Sequence, residues 1–328
     1  MSGTRIYHDL KDVPGDLKPT ALTIGNFDGV HLGHRRIFKR LVEIAREHGW
    51  QASVLTFDPH PAKVVAPTRS PRLLMTPEQR AKVMFELGIS RVAIAHFDTS
   101  FSKLTPEQFV RQVVVGKLKA KAVLVGDNFR FGNRQAGDTE LLVRLGHELG
   151  YAVEVIPSVS VRGMVVSSTG IRRLIEAGRV TLACRALGRF YALEGDVVPG
   201  KGIGSRHTVP TLNLRTAAEV LPAVGVYVTR THAVKDGRSW PSITNVGYRP
   251  TFNGDNLSIE TFLLTEFDGN APPQICVEFL CRLRGERRFD TPAELKTQIM
   301  RDAGRARSYF RRIEQLAAIQ TQKSGLLI

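Results

Sequence analysis

Two rhythms of apolar residues alternate through the first half of the chain. Short apolar runs at residues 21–24, 52–57, 91–95, 122–125 and 151–156 have the length and punctuation of buried strands. After the first of them, Ile37, Phe38, Leu41, Val42 and Ala45 recur at three- and four-residue spacing, the stripe of a helix with one face in a core. Thr76-Pro77-Glu78-Gln79 and Thr105-Pro106-Glu107-Gln108 mark two further helix starts. Each combines an N-cap threonine, a proline at the first helical position and a glutamine at the third, the capping-box arrangement. Strand and helix in alternation predict a parallel sheet covered by helices, a doubly wound, Rossmann-like α/β domain. In such sheets ligands collect beyond the carboxyl ends of the strands, so motifs found there should converge on one site.

The pattern changes around residues 187–190. From there strands follow one another at 191–198, 224–233, 239–246, 257–264 and 275–283, with Asp236-Gly237 and Asp268-Gly269 as hairpin turns. The expected architecture is a small antiparallel β-barrel, followed by a helical tail that Thr291-Pro292-Ala293-Glu294 opens. The expected division is therefore residues 1–186 and 187–328.

Composition narrows the class. A chain of 328 residues, 42% of them hydrophobic, can bury two cores. It contains no apolar run of membrane-spanning length and opens on Met-Ser-Gly-Thr-Arg-Ile-Tyr-His-Asp, without the apolar stretch of a signal peptide. A cytoplasmic protein that does not insert into membranes is expected. Cys184, Cys276 and Cys281 are too few and too irregularly spaced for a disulfide framework or a zinc site. The net charge of +15 draws heavily on Arg282, Arg284, Arg287 and Arg288 and on Arg301, Arg305, Arg307, Arg311 and Arg312. With no stacking aromatics or nucleic-acid fold signature beside them, acidic small molecules are the expected partners rather than nucleic acid.

The candidate chemistry begins at Thr23-Ile24-Gly25-Asn26-Phe27-Asp28-Gly29-Val30-His31-Leu32-Gly33-His34, where a strand passes into a helix. Free backbone N–H groups and the positive end of the helix dipole favour a phosphate there. Gly25, Gly29 and Gly33 let a ligand approach the backbone, and His31 and His34 can direct hydrogen bonds at phosphate oxygens. Histidines at that position can also merely cap the helix. The His-x-Gly-His run resembles the nucleotidyltransferase signature. Three more motifs stand after later strands or at a helix start: Thr56-Phe57-Asp58-Pro59-His60-Pro61, Gly126-Asp127-Asn128-Phe129-Arg130-Phe131-Gly132 and Ser167-Ser168-Thr169-Gly170-Ile171-Arg172. In the first, His60 and Asp58 either touch a ligand or fix the turn. In the last, the hydroxyls either cap the helix or share its N–H groups with a phosphate.

Taken in order, these motifs closely resemble the adenylyltransferase module of bacterial bifunctional riboflavin kinase/FAD synthetases. The resemblance implies that His31 and His34 steady the ATP phosphates and the departing pyrophosphate. It implies ATP or flavin-phosphate contacts from Gly25, Phe27, Asn128, Ser168, Thr169 and Arg172. The nucleophile would be the phosphate of FMN, already anionic, so no general base is required.

In the second half, Gly200-Lys201-Gly202 forms part of a glycine loop, and Thr211 and Asn213 stand two apart on an extended segment. Facing the same side, a hydroxyl and an amide oxygen can reach one Mg²⁺ bridging phosphates. Glu260 interrupts the apolar run 257–264, as either an outward strand residue or a general base. Pro210-Thr211-Leu212-Asn213 resembles the Pro-Thr-Ala-Asn motif of flavokinases, and residues 245–252 resemble their next signature. By that likeness Gly200, Lys201 and Gly202 bind phosphate, Thr211 and Asn213 hold Mg-ATP, and Glu260 deprotonates the ribityl 5′-hydroxyl of riboflavin. The chain departs from the family pattern at residues 203–209, where an arginine expected near the phosphates is absent or displaced to Arg206, at Leu212 in place of alanine and at Gly285 in place of proline. The family implies riboflavin, FMN and ATP as small-molecule substrates and FAD as product. A chain with only the adenylyltransferase active, its barrel reduced to flavin binding, is the alternative; a non-catalytic regulator is a remoter one.

Overall fold

The computed structural model describes residues 4–199, 211–249, 256–265 and 270–324. The chain divides into two compact units, Met1–Ile171 and Arg172–Ile328.

In the first unit the strands β1 (Arg5–Tyr7), β2 (Thr20–Ile24), β3 (Gln51–Asp58), β4 (Arg91–His96), β5 (Ala120–Gly126) and β6 (Ala152–Ile156) form one parallel sheet. The helices between them are α1 (Leu32–His48), α2 (Pro61–Val65), α3 (Pro77–Glu86), α4 (Pro106–Gln108), which continues as a π-helical stretch over Phe109–Lys117, and α5 (Thr139–Leu149). All five strands expected from the pattern are present. β1 escapes the pattern because it is three residues long and half polar. The sheet order is β1-β4-β3-β2-β5-β6. Strand order therefore reverses between β2 and β5, the topological switch point of a doubly wound sheet. One apolar cluster covers each face: Leu22, Leu55, Val110, Val123 and Leu142 belong to one, and Phe38, Leu41, Val54, Met84 and Leu124 to the other. Both capping boxes form as their sequences require, Thr76 with Gln79 and Thr105 with Gln108.

A short hairpin, β7 (Ser160–Val161) with β8 (Met164–Val165), which the sequence pattern did not reveal, precedes α6 (Ser168–Glu176). Beyond it come α7 (Val180–Leu187) and the strands β9 (Tyr191–Val198), β10 (Thr211–Thr216), β11 (Gly225–Ala233), β12 (Ser239–Arg249), β13 (Asn256–Leu263) and β14 (Gln274–Arg284). They close into an antiparallel barrel in the order β10-β13-β12-β11-β14-β9. Closure pairs every strand on both edges and leaves no open edge to aggregate. The Asp236-Gly237 turn forms, with Gly237 at φ 71°. The Asp268-Gly269 turn lies outside the described residues.

Alternation along the barrel strands sorts their residues to two sides. Inside runs a chain of buried hydroxyls: Thr231 to Ser242 at 2.8 Å, Ser242 to Thr229 at 2.8 Å, Thr229 to Thr244 at 2.8 Å and Thr244 to Thr261 at 2.9 Å. Ser242, Thr229 and Thr244 each take part in two of these bonds, and because a hydroxyl can donate as well as accept, the chain is consistent whichever way it runs. Outside, Val226, Val228, Ile243, Phe262 and Leu280 pack against Ala303, Ala306 and Phe310 of the terminal helix α8 (Pro292–Ser324). The tail is thus a single helix, seated by its small residues and pinned by Arg284, whose Nε donates to the buried Asp302 carboxylate at 2.8 Å.

Candidate active sites

The sheet of the first unit brings three of the motifs to the switch point. Residues 25–31 follow β2, residues 127–132 follow its neighbour β5, and Asp58 ends β3 on the other side with residues 59–61 following it. At the first turn His31 occupies the N-cap position of α1 with extended backbone (φ −77°, ψ 176°), and its side chain makes no cap hydrogen bond. Capping does not explain this histidine. Its ring stacks on that of His34 with centroids 3.6 Å apart and planes 20° from parallel. His34 meets in turn the edge of Phe27, 5.1 Å away at 82°. A Cβ on Gly33 would sit 3.2 Å from the His31 ring, which explains the glycine between the histidines. Phe27 is 4% exposed and packs on Phe38 at 5.0 Å, so its ring supports the histidines from the core side. Any contact of Phe27 with a phosphate would have to come from its backbone.

The turn is held under tension. Phe27 (φ 48°) and Val30 (φ 41°) take left-handed backbone without being glycines, which persists only where surrounding contacts over-determine it. Those contacts are numerous. The buried Asp28 carboxylate accepts the N–H groups of Leu74 at 3.0 Å and Met75 at 3.2 Å. The Asp28 carbonyl accepts the Ser168 hydroxyl at 2.8 Å. The Asn26 carbonyl accepts from Thr56 at 3.3 Å and from Arg80.

The other motifs divide. His60 Nδ1 accepts the Ala62 N–H at 3.1 Å and so caps α2. Asn128 is exposed at the end of β5, and Gly132 (φ 73°) lies so close to Pro106 that a Cβ would stand 2.7 Å from it. Phe131 is 6% exposed and stacks on Phe129 at 5.4 Å, so the pair is core packing. At the start of α6, Ser167 supplies the cap by accepting the Gly170 N–H at 3.2 Å. Thr169 is exposed at that start and Arg172 half-buried one turn on.

In the barrel, Asn213 and Glu260 stand directly opposite each other across β10 and β13, and Glu260 stands opposite Asn245 across β13 and β12. Thr211, two residues before Asn213, shares its face. Asn213 is 8% exposed, Glu260 half-buried and Thr211 exposed. The Ser258 hydroxyl reaches Glu260 Oε1 at 3.4 Å. A Cβ on Gly247 would stand 2.9 Å from Glu286 Oε1 and 3.1 Å from Asn245 Nδ2. Ser258, two residues before the candidate base on its own strand, and Asn245, opposite it on β12, are thus its neighbours, and Glu286 lies beside Gly247; the relation to Asn245 leaves no mark on spacing because it runs across strands. Gly200, Lys201 and Gly202, the altered segment 203–209 and residues 250–252 lie outside the described residues. Among the described residues no three His, Cys, Asp or Glu side chains cluster as a metal site, and no helix is long and apolar enough to cross a membrane.

Comparison with known proteins agrees in both halves. A FAD synthetase family model matches residues 13–170, and a riboflavin kinase family model matches residues 187–310. The bifunctional riboflavin kinase/FMN adenylyltransferase of Escherichia coli K12 is 33% identical over 94% of this chain and 98% of its own. That of Pseudomonas fluorescens is 36% identical over 87% and 91%. The crystal structure of a macrolide-efflux protein from Streptococcus pneumoniae superimposes with a TM-score of 0.81 at 26% identity, covering 93% of this chain and 98% of that one. Related along nearly the full length of its counterparts, and to a separate family model in each half, the chain belongs to the bifunctional riboflavin kinase/FMN adenylyltransferase family.

Proposed function

We propose that the chain converts riboflavin to FAD in two ATP-dependent steps, with residues 187–328 phosphorylating riboflavin and residues 1–186 adenylylating the FMN produced. The carrying observation is that one polypeptide holds both constellations: the stacked His31–His34 pair at a sheet's switch point, and the Asn213–Glu260 opposition on a closed barrel. In the first step Glu260 takes the proton of the ribityl 5′-hydroxyl as that oxygen attacks the γ-phosphorus and ADP leaves. Thr211 and Asn213 offer hard neutral oxygens beside that carboxylate, a donor set suited to Mg²⁺ carried by a nucleotide. The ion would neutralise charge on the phosphates. In the second step an FMN phosphate oxygen attacks the α-phosphorus of ATP and pyrophosphate departs. The two imidazoles and the N–H groups at the start of α1 stabilise the accumulating charge. Asn128, Thr169 and Arg172 complete the nucleotide site, and Gly200, Lys201 and Gly202 the phosphate side of the kinase. The partners are riboflavin, FMN and ATP, and the compartment is the cytoplasm.

The test is a time course. Incubated with riboflavin, MgATP and purified protein, the mixture should show FMN rising and then giving way to FAD on chromatographic separation. FAD formed only from supplied FMN would remove the kinase step, and no FAD from either flavin would remove both.

A further inference from the structure

Arg80, on α3, is 2% exposed and makes no hydrogen bond to either histidine. We infer that Arg80 is a positioning residue for adenylyl transfer, holding the Asn26–Phe27 peptide so that the His31–His34 turn presents its N–H groups to phosphate. The inference rests on the adenylyltransferase function proposed above.

Three observations carry it. First, Arg80 Nη1 donates both to the Asn26 carbonyl and to Thr56 Oγ1 at 3.1 Å, while Thr56 itself donates to the same carbonyl. The carbonyl is fixed by two donors that also fix each other. In a trans peptide the C=O and the following N–H point in opposite directions, so fixing the Asn26 oxygen toward α3 aims the Phe27 N–H the other way. Among the described residues that N–H donates to no backbone carbonyl. Second, the clamp is reciprocal. Asp28 of the turn receives the N–H groups of Leu74 and Met75 just before α3, and Arg80 of α3 reaches back to the turn. The left-handed Phe27 and Val30 lie on either side of Asp28, between these ties and His31. Third, a guanidinium is a demanding choice for this depth. Burial pushes its pKa down against the pull of Asp28 and Asp58, and its Nε has no hydrogen-bond partner among the described residues. A packing role alone would be met by an apolar side chain of similar volume.

The full-length protein supplies its own control, because riboflavin phosphorylation and FMN adenylylation are measured on the same preparation. In Arg80→Met, kcat/KM for ATP in adenylylation should fall at least tenfold while the phosphorylation rate stays within twofold. Arg80→Lys, which keeps the charge and one donor, should recover part of the loss. Thr56→Val, which removes the second donor at constant volume, should lower adenylylation in the same direction, and decides the matter should Arg80→Met not fold. Adenylylation within twofold of the parent in Arg80→Met, or in Thr56→Val where that variant stands in, overturns the inference. So does a parallel fall of both activities across the three variants. A parent protein that makes no FAD from FMN overturns the adenylyltransferase function instead, and the inference with it.

Discussion

Glu260 and His31 illustrate opposite ways in which a residue acquires a function. Glu260 is a carboxylate in a run of apolar residues, and its neighbours Asn213 and Asn245 come from two other strands. Replacing it by Gln removes the base and keeps the shape. Riboflavin phosphorylation should fall by about 10²–10⁴-fold, while FMN adenylylation by the same sample is unchanged. His31 is instead fixed within its own turn, by the room at Gly33 and the stacked ring of His34. His31→Ala should lower FAD formation from FMN by about 10²–10³-fold and leave phosphorylation intact. A variant of either residue that keeps its activity removes that residue from the chemistry. The cysteines offer a quieter test. Burial pushes the Cys184 and Cys281 thiols above their ordinary range, so each holds less thiolate at pH 8 than a free cysteine does. A thiol-reactive dye should label both slowly in the native protein and rapidly after unfolding.

The sequence announces its elements more clearly than its contacts. Strands and capped helices follow from periodicity and from Thr-Pro-Glu-Gln, because these are local signals read by local physics. The turn at 25–34 was legible for the same reason. Arg80, and the tie of Thr56 to Asn26, were not, since these relations span 54 and 30 residues and leave no mark on spacing. Phe27 and Phe131 show the converse: aromatic residues within ligand motifs that the fold commits to the core. Of the two serines at the start of α6, Ser167 takes the capping alternative, while Ser168 donates its hydroxyl to the Asp28 carbonyl, a contact that neither alternative described. Element stability follows these contacts. Thr76→Ala deletes one arm of a capping box on α3 and should lower unfolding free energy by about 1 kcal/mol in denaturant titration. Asp302→Ala leaves Arg284 without its partner under α8 and should lower it by about 3–5 kcal/mol, seen as an early loss of barrel structure.

At the scale of the molecule, each compact unit has its own apolar clusters and its own candidate site. FMN is product of one and substrate of the other. If it passes through solution, an equimolar mixture of His31→Ala and Glu260→Gln proteins should convert riboflavin to FAD, although neither does so alone. A mixture that stops at FMN would mean that the product must stay within one chain. If the segment 203–209 weakens the barrel's activity, the ratio of the two rates in the parent protein is the readout, with phosphorylation slow and adenylylation unaffected.

The hydroxyl chain inside the barrel has a consequence for quality control during synthesis. Thr244 faces Thr261 in the same register that sets Asn245 opposite Glu260, one residue along on the other side of the sheet. If β12 and β13 zip up out of step, the misaligned molecule strands its inner oxygens and separates its candidate base from its neighbours in a single event. A population of this protein should therefore contain fully competent kinases and rejected chains, with few half-competent forms between them.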